Sequence, residues 1–205
     1  MKKVLAIVAL VAALFVAGNV QAQNMVYVGY APETLAYSNS TANFQGFYAG
    51  FTKNIGISNG IGVAAGAQFR LNTRNTEDSF WGITGKVKET QILVDVPLLF
   101  NYGIAINRDL KITPFIGPMF SLGLVGKTQG NDPIFGDHSS DWYGENGVAG
   151  RPNNRFNISG VFGADVTFSR FNLFAGYNMG LMDLAKSENV TMKTSGFFVG
   201  LGYSL

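Results

Sequence analysis

The 205-residue chain contains no cysteine, so it holds no disulfide, no thiolate metal site and no lipid attached through a cysteine. Charge is scarce too: Asp, Glu, Lys and Arg make up 14% of the chain, against about 25% in an ordinary soluble domain. No apolar run reaches the roughly 20 residues that a membrane-spanning helix needs. The longest covers 4–17, between a basic Met1-Lys2-Lys3 and the small residues Val20-Gln21-Ala22 that signal peptidase reads. Residues 1–22 are therefore expected to be a cleaved signal peptide and 23–205 the mature domain. Its loss would remove Lys2 and Lys3, lowering 15 Lys+Arg to 13 against 13 Asp+Glu. A formally neutral mature chain has no basic footprint for nucleic acid, and no such partner is expected.

What the chain has in quantity is glycine and aromatics, with 26 Gly, 17 Phe and 8 Tyr. Apolar composition without a spanning helix leaves a closed barrel as the membrane solution, because only closure satisfies every backbone N–H and C=O in lipid. From Met25 onward the dominant period is two, the mark of a strand with each face in a different environment. Ile61, Val63, Ala65, Ala67, Phe69 and Leu71 alternate with Gly62, Ala64, Gly66, Gln68, Arg70 and Asn72. The stretch 156–168 sets Phe156, Ile158, Phe162, Ala164, Val166 and Phe168 against Asn157, Ser159, Val161, Gly163, Asp165 and Thr167. At the end of the chain Phe197, Val199, Leu201, Tyr203 and Leu205 alternate with Gly196, Phe198, Gly200, Gly202 and Ser204.

Such segments predict strands at 25–35, 44–56, 60–72, 88–106, 111–125, 156–168, 171–182 and 193–205, each long enough to cross the hydrocarbon at a tilt. Their connections alternate in length. Those at 57–59, 107–110 and 169–170 are tight, whereas 36–43, 73–87, 126–155 and 183–192 are long and polar. The expected fold is an all-β, eight-stranded antiparallel up-and-down transmembrane β-barrel, with short periplasmic turns and long outer loops. A secreted soluble calyx barrel binding an apolar ligand would alternate as well, with its apolar face inward. The polar face of this chain is Gly, Asn, Ser and Thr rather than the Lys and Glu of a wet exterior, which favours the membrane reading. Aromatics near strand ends suggest two interfacial girdles, Tyr37, Phe44, Phe80, Trp81, Trp142, Tyr143 and Phe156 outside and Tyr102, Phe168, Phe171 and Tyr203 on the periplasmic side. Pro97, Pro114 and Pro118 lie inside expected strands, where a missing N–H calls for bulges or bends.

The segments Val94-Asp95-Val96-Pro97-Leu98-Leu99-Phe100-Asn101-Tyr102 and Thr113-Pro114-Phe115-Ile116-Gly117-Pro118 resemble the small outer-membrane β-barrel domain of Bacteroidota, often labelled porin-family or PorT-like. The resemblance implies an outer-membrane location after export, an OmpA/OmpX-type shape and no enzyme site. Outer-membrane lipid, lipopolysaccharide and the barrel-assembly machinery would be its partners. No cofactor is expected.

A barrel of eight strands is just wide enough for side chains to fill it. Arg70 and Asp95 share the inward parity at similar heights and are expected to form an interior ion pair. Asp165 is expected at the periplasmic rim, answered by Arg108 or Lys111. The 126–155 segment carries Trp142, Tyr143 and His138 as a candidate surface-binding loop, exposed aromatics being good anchors. His138, Ser139, Ser140 and Glu145 also resemble the residue types of outer-membrane lipid A deacylases, and Asp132, Asp137, His138 and Asp141 could offer oxygen ligands to a cation. No catalytic or metal residue is expected on this reading; a solvated polar loop accounts for both groupings. The leading function is a non-enzymatic surface-binding or envelope-structural role through the outer loops. The alternatives are a narrow channel for small solutes, lipid A modification, and the calyx.

Overall fold

The period-two pattern resolves into strands throughout. The computed structural model describes residues 22–37, 40–80, 83–132, 136–144, 153–185 and 191–205. The expected signal peptide lies outside them except for Ala22.

The strands are β1 (Ala22–Tyr30), β2 (Glu33–Tyr37), β3 (Thr41–Ser58), β4 (Ile61–Phe80), β5 (Ile83–Tyr102), β6 (Ile104–Ala105), β7 (Leu110–Asp132), β8 (Gly136–Asp141), β9 (Phe156–Phe168), β10 (Phe171–Gly180) and β11 (Met192–Ser204). β1 and β2 share the same two neighbours, β3 and β11, and act as one interrupted strand. With β3, β4, β5, β7, β9, β10 and β11 they close an antiparallel ring of eight. The interruption falls at Ala31–Pro32, where the proline has no N–H to give the ladder. Added Cβ atoms on Gly46 and Gly196 would lie 2.1 Å from Ala31 O and 2.2 Å from Pro32 O, so only glycine lets the kinked backbone settle between the flanking strands.

The apolar face points outward. Val28, Phe47, Phe69, Phe100, Ile116, Phe162, Leu173 and Leu201, one from each ring strand, are all more than half exposed. A continuous apolar belt around the whole molecule far exceeds what water tolerates on a monomer and suits lipid. Inward positions include Asn72, Asp95, Ser121, Asn157, Ser159 and Thr194, all buried. The calyx reading required the opposite orientation and is set aside.

Tyr102, Phe168, Phe171 and Tyr203 are exposed at the end of the short turns, as expected of a girdle. Phe44 and Trp142, placed by sequence in the outer girdle, are instead buried inside at 1% and 3% exposure. Phe44 has the inward parity of β3, where Ala42, Gly46 and Tyr48 are buried too. The prolines interrupt ladders without shifting them: β5 pairs β7 at Pro97↔Met119 and resumes in register at Phe100↔Ile116. The register shift lies instead between Ile92 and Leu93, opposite Val125 and Gly123.

Two expected loops are largely strand. β4 and β5 remain paired out to Phe80↔Ile83, so 73–80 and 83–87 are strand. β7 runs to Asp132 and β8 pairs with it, with Gly130 opposite His138, so 126–132 and 136–141 of the expected loop are strand. The polar composition of these segments reflects strands with water on both sides.

Candidate functional site

Three layers fill the lumen. The middle one is ionic. The Arg70 guanidinium on β4 hydrogen-bonds Glu33 on β2, and its Nε lies 3.0 Å from Asp95 Oδ2 on β5. That Nε contact is off the N–H axis and acts through charge, while Nη2 donates to Asp95 Oδ1 at 3.3 Å. The expected pair therefore forms, diagonally, because Asp95 is level with Gln68 and Arg70 with Leu93. Gln68 Nε2 also donates to Asp95 at 3.0 Å, Asn72 Nδ2 to Glu33 at 3.3 Å, and Tyr27 Oη to Gln68 Oε1 at 3.1 Å. Arg70, Glu33 and Asp95 are buried together with Asn72 and Ser121, so the lumen is closed at this level. Glu33 was the missed member. Its odd parity, shared with Tyr27, Ala31 and Leu35, was the available signal, masked by Pro32 beside it.

Above the ions, the outer mouth is capped by an apolar cluster of Leu35, Ala42, Phe44, Trp142 and Met192. Trp142 stands edge-on to Phe44, with ring centroids 6.2 Å apart, and its Nε1 donates to Glu89 at 3.4 Å. Glu89 in turn pairs with Arg74 at 3.0 Å. The segment reaches inside because β7 exchanges partners there. Its ladder with β9 ends at Leu122↔Phe156 and that with β8 begins at Lys127↔Asp141. Between them Gly123 N donates to Arg155 O at 2.7 Å and Trp142 N to Gly126 O at 2.9 Å. A Cβ on Gly123 would lie 2.0 Å from the Tyr143 hydroxyl, and one on Gly126 would lie 2.6 Å from Trp142 Cβ. These two glycines make room for the cap. Arg155 covers the Tyr143 ring at 4.8 Å, and burial pushes the Tyr143 hydroxyl up to about 12. Trp142 is thus a cap residue and not an exposed anchor, while Tyr143 is half-buried beside it. His138 lies on the backbone of β8; its side chain is outside the described residues, as is Glu145, while Ser139 and Ser140 pair with Gln129 and Thr128.

Below the ions the lumen is unexpectedly aromatic. Tyr27, Tyr48 and Phe174 form a buried cluster with Phe115 and Phe198 against it. Each ring lies across a glycine of a neighbouring strand: Cβ atoms on Gly29, Gly50, Gly163, Gly176 and Gly200 would come within 2.8 Å of Tyr48, Tyr27, Phe115, Phe198 and Phe174 respectively. The abundance of both residue types follows from this pairing, since a ring fits flat only where the wall has no side chain. Asp165 lines this region and accepts from Thr167 Oγ1 at 2.7 Å. Lys111 lines it too, whereas Arg108 is exposed in the preceding turn, and among the described residues neither reaches ion-pair distance of Asp165. Asp165 thus takes its direct hydrogen bond from a hydroxyl, and of the two expected answers Lys111 acts on it through charge without ion-pair contact. Among the described residues no group of three or more His, Asp or Glu could hold a metal ion.

The outer side carries a further feature. β4, β5 and β7 have 20, 20 and 23 residues, whereas β10 crosses with 10. β3 pairs β4 only as far as Gln45↔Thr73, and β5 stays with β7 out to Lys86↔Asn131. β4, β5, β7 and β8 therefore rise above the ring as a four-stranded ribbon. Among the described residues its two edges, β4 beyond Thr73 and all of β8, pair with no further strand.

The model for the outer membrane protein beta-barrel domain matches residues 15–186. Among solved structures, the chain is similar to the attachment invasion locus protein Ail of Yersinia pestis, in complex with the heparin analogue sucrose octasulfate, at 21% identity over 90% of this chain and 99% of that one, TM-score 0.44. It is also similar to Neisserial surface protein A, at 13% identity over 89% and 97%, TM-score 0.45. A major outer membrane protein of Thermus thermophilus matches at 10% identity over 90% and 99%, TM-score 0.45. No curated protein matches the chain.

Proposed function

The chain belongs to the outer membrane protein beta-barrel domain family and resides in the outer membrane, and from that premise we propose that it is a non-enzymatic surface-binding protein whose ribbon takes up extended polypeptide segments. The ribbon with its two open edges is the observation that carries this reading. An edge strand offers a row of N–H and C=O groups to any chain that aligns with it, and native proteins usually cover or blunt such edges. Here the edges stand above the ring on the outer side, where only an external partner can reach them. The ion-filled lumen disfavours the channel alternative, because solute passage would require displacing buried, mutually paired charges.

The test is selection of random unstructured peptides by phage display on protein refolded in lipid nanodiscs. The competing target is a truncated form in which 75–88 are replaced by Asn-Gly, so that the Arg74–Glu89 ion pair closes a two-residue turn, and 128–140 are likewise replaced by Asn-Gly between the opposed Lys127 and Asp141, which removes both edges. Enrichment of β-prone peptides on the full protein and not on the truncated form is the expected result. Equal enrichment on both, with the truncated form still migrating as a folded barrel, would remove the ribbon as the binding element.

A further inference from the structure

We propose that the periplasmic half of the lumen is a binding site for a small neutral ring compound bearing one hydrogen-bonding group, of about phenol size, separate from and independent of the outer ribbon. A cavity of about 140 Å³ runs from Arg70 and Ala31 down to Asn172 and Ser204 at the short-turn end. Tyr27, Tyr48, Phe115 and Phe174 give it ring edges and faces, with Tyr27 edge-on to Phe174 at a centroid separation of 5.6 Å. Such walls favour an aromatic guest through edge-to-face contact.

Two polar atoms mark the cavity as more than a packing void. Thr113 Oγ1 and Asn178 Oδ1 belong to buried side chains that line it, and neither has a hydrogen-bond partner. Buried polar groups are almost always satisfied, so each points to a missing partner. Thr113, two residues from Phe115 on β7 and level with Phe174, can donate to or accept from the hydroxyl or amide N–H of a ring held there, whereas Asn178 stands four residues further along β10 and meets a separate partner. Size sets the limit on the class. An apolar cavity of roughly 150 Å³ holds benzene, and drug-sized ligands need roughly 300 Å³ or more, so a single ring fits and a lipid does not. Ordered water filling the same space is the competing account.

The experiment uses 4-fluorophenol and fluorobenzene as probes, followed by fluorine NMR, on the full mature chain refolded in nanodiscs. Three proteins are compared: the wild type, Ala64→Phe, which fills the cavity from its wall, and Thr113→Val, which removes the hydroxyl at constant shape. Saturable binding of 4-fluorophenol is expected in the wild type, with roughly threefold to tenfold preference over fluorobenzene. Ala64→Phe should abolish it, and Thr113→Val should keep ring binding but erase the preference. Should Ala64→Phe fail to fold, the Thr113→Val comparison decides alone. Non-saturable partitioning that scales with lipid and is the same in wild type and Thr113→Val would overturn the site in favour of water. So would saturable binding with no preference for the phenol.

Discussion

Replacing Arg70 with methionine removes the one cation between Glu33 and Asp95, which are 6% and 0% exposed. Removing one partner of a buried ion pair costs about 3–5 kcal/mol, because the remaining charge is stranded away from water. Here two carboxylates are stranded, yet each keeps a side-chain donor, Asp95 from Gln68 and Glu33 from Asn72. Those bonds place the expected loss near the lower end, about 3 kcal/mol, roughly a hundredfold in the folding equilibrium. The triple variant Arg70→Met, Glu33→Leu, Asp95→Leu removes the charges together and should recover most of that loss, since an apolar core of similar volume often equals a buried ion network. Guanidinium unfolding of protein refolded in lipid vesicles, followed by the gel shift between folded and boiled forms, measures both. A single variant within about 1 kcal/mol of wild type, or a triple variant no better than the single one, would refute the claim that these charges sustain one another.

Other consequences follow from the glycine contacts and the cap. Gly29→Ala should destabilise by about 1–3 kcal/mol, because its Cβ would lie 2.3 Å from the Tyr48 ring and 2.5 Å from Val199 O. Gly56→Ala, with nothing within 4 Å, should be neutral or gain about 0.5 kcal/mol; equal effects in the same unfolding assay would dismiss the ring-over-glycine account. Gly126→Val should expel the cap: in a Trp81→Phe background the Trp142 emission should shift to the red while the barrel still runs as a compact band, and an unchanged spectrum would contradict the buried position. Trp142→Ala should cost about 3–5 kcal/mol if the cap packs as a core, and a loss below about 1 kcal/mol would show that the mouth contributes little.

The barrel was legible because its alternation is enforced at every strand: a one-residue slip would turn Phe69 or Leu201 into the lumen and Asn72 or Ser204 into lipid. The Arg70–Asp95 contact could be read from the same parity. Glu33 shares the inward parity within the expected strand 25–35, but Pro32 beside it hides the alternation there. The outer ribbon was hidden for a physical reason. Beyond the membrane the strands around Glu77, Lys86 and Lys88 meet water on both faces, so the period that identifies a strand vanishes and composition imitates a loop. Trp142 misled for the converse reason, since an aromatic among Gly and Asp reads as exposed unless its burial over Gly123 and Gly126 is known. The aromatic lower lumen was visible only as an excess of Phe, Tyr and Gly, because ring and glycine sit on different strands.

The absence of cysteine allows single thiols to be placed at will, and nitroxide labels at Phe69, Phe162 and Leu201, with Asn72 and Ser121 as inward controls, test the membrane barrel most directly. In vesicles the first three should be relaxed strongly by oxygen and weakly by a water-soluble nickel chelate, and the inward pair should be shielded from both. Outward labels reached by the nickel chelate as readily as by oxygen would contradict the lipid-facing belt and the fold built upon it.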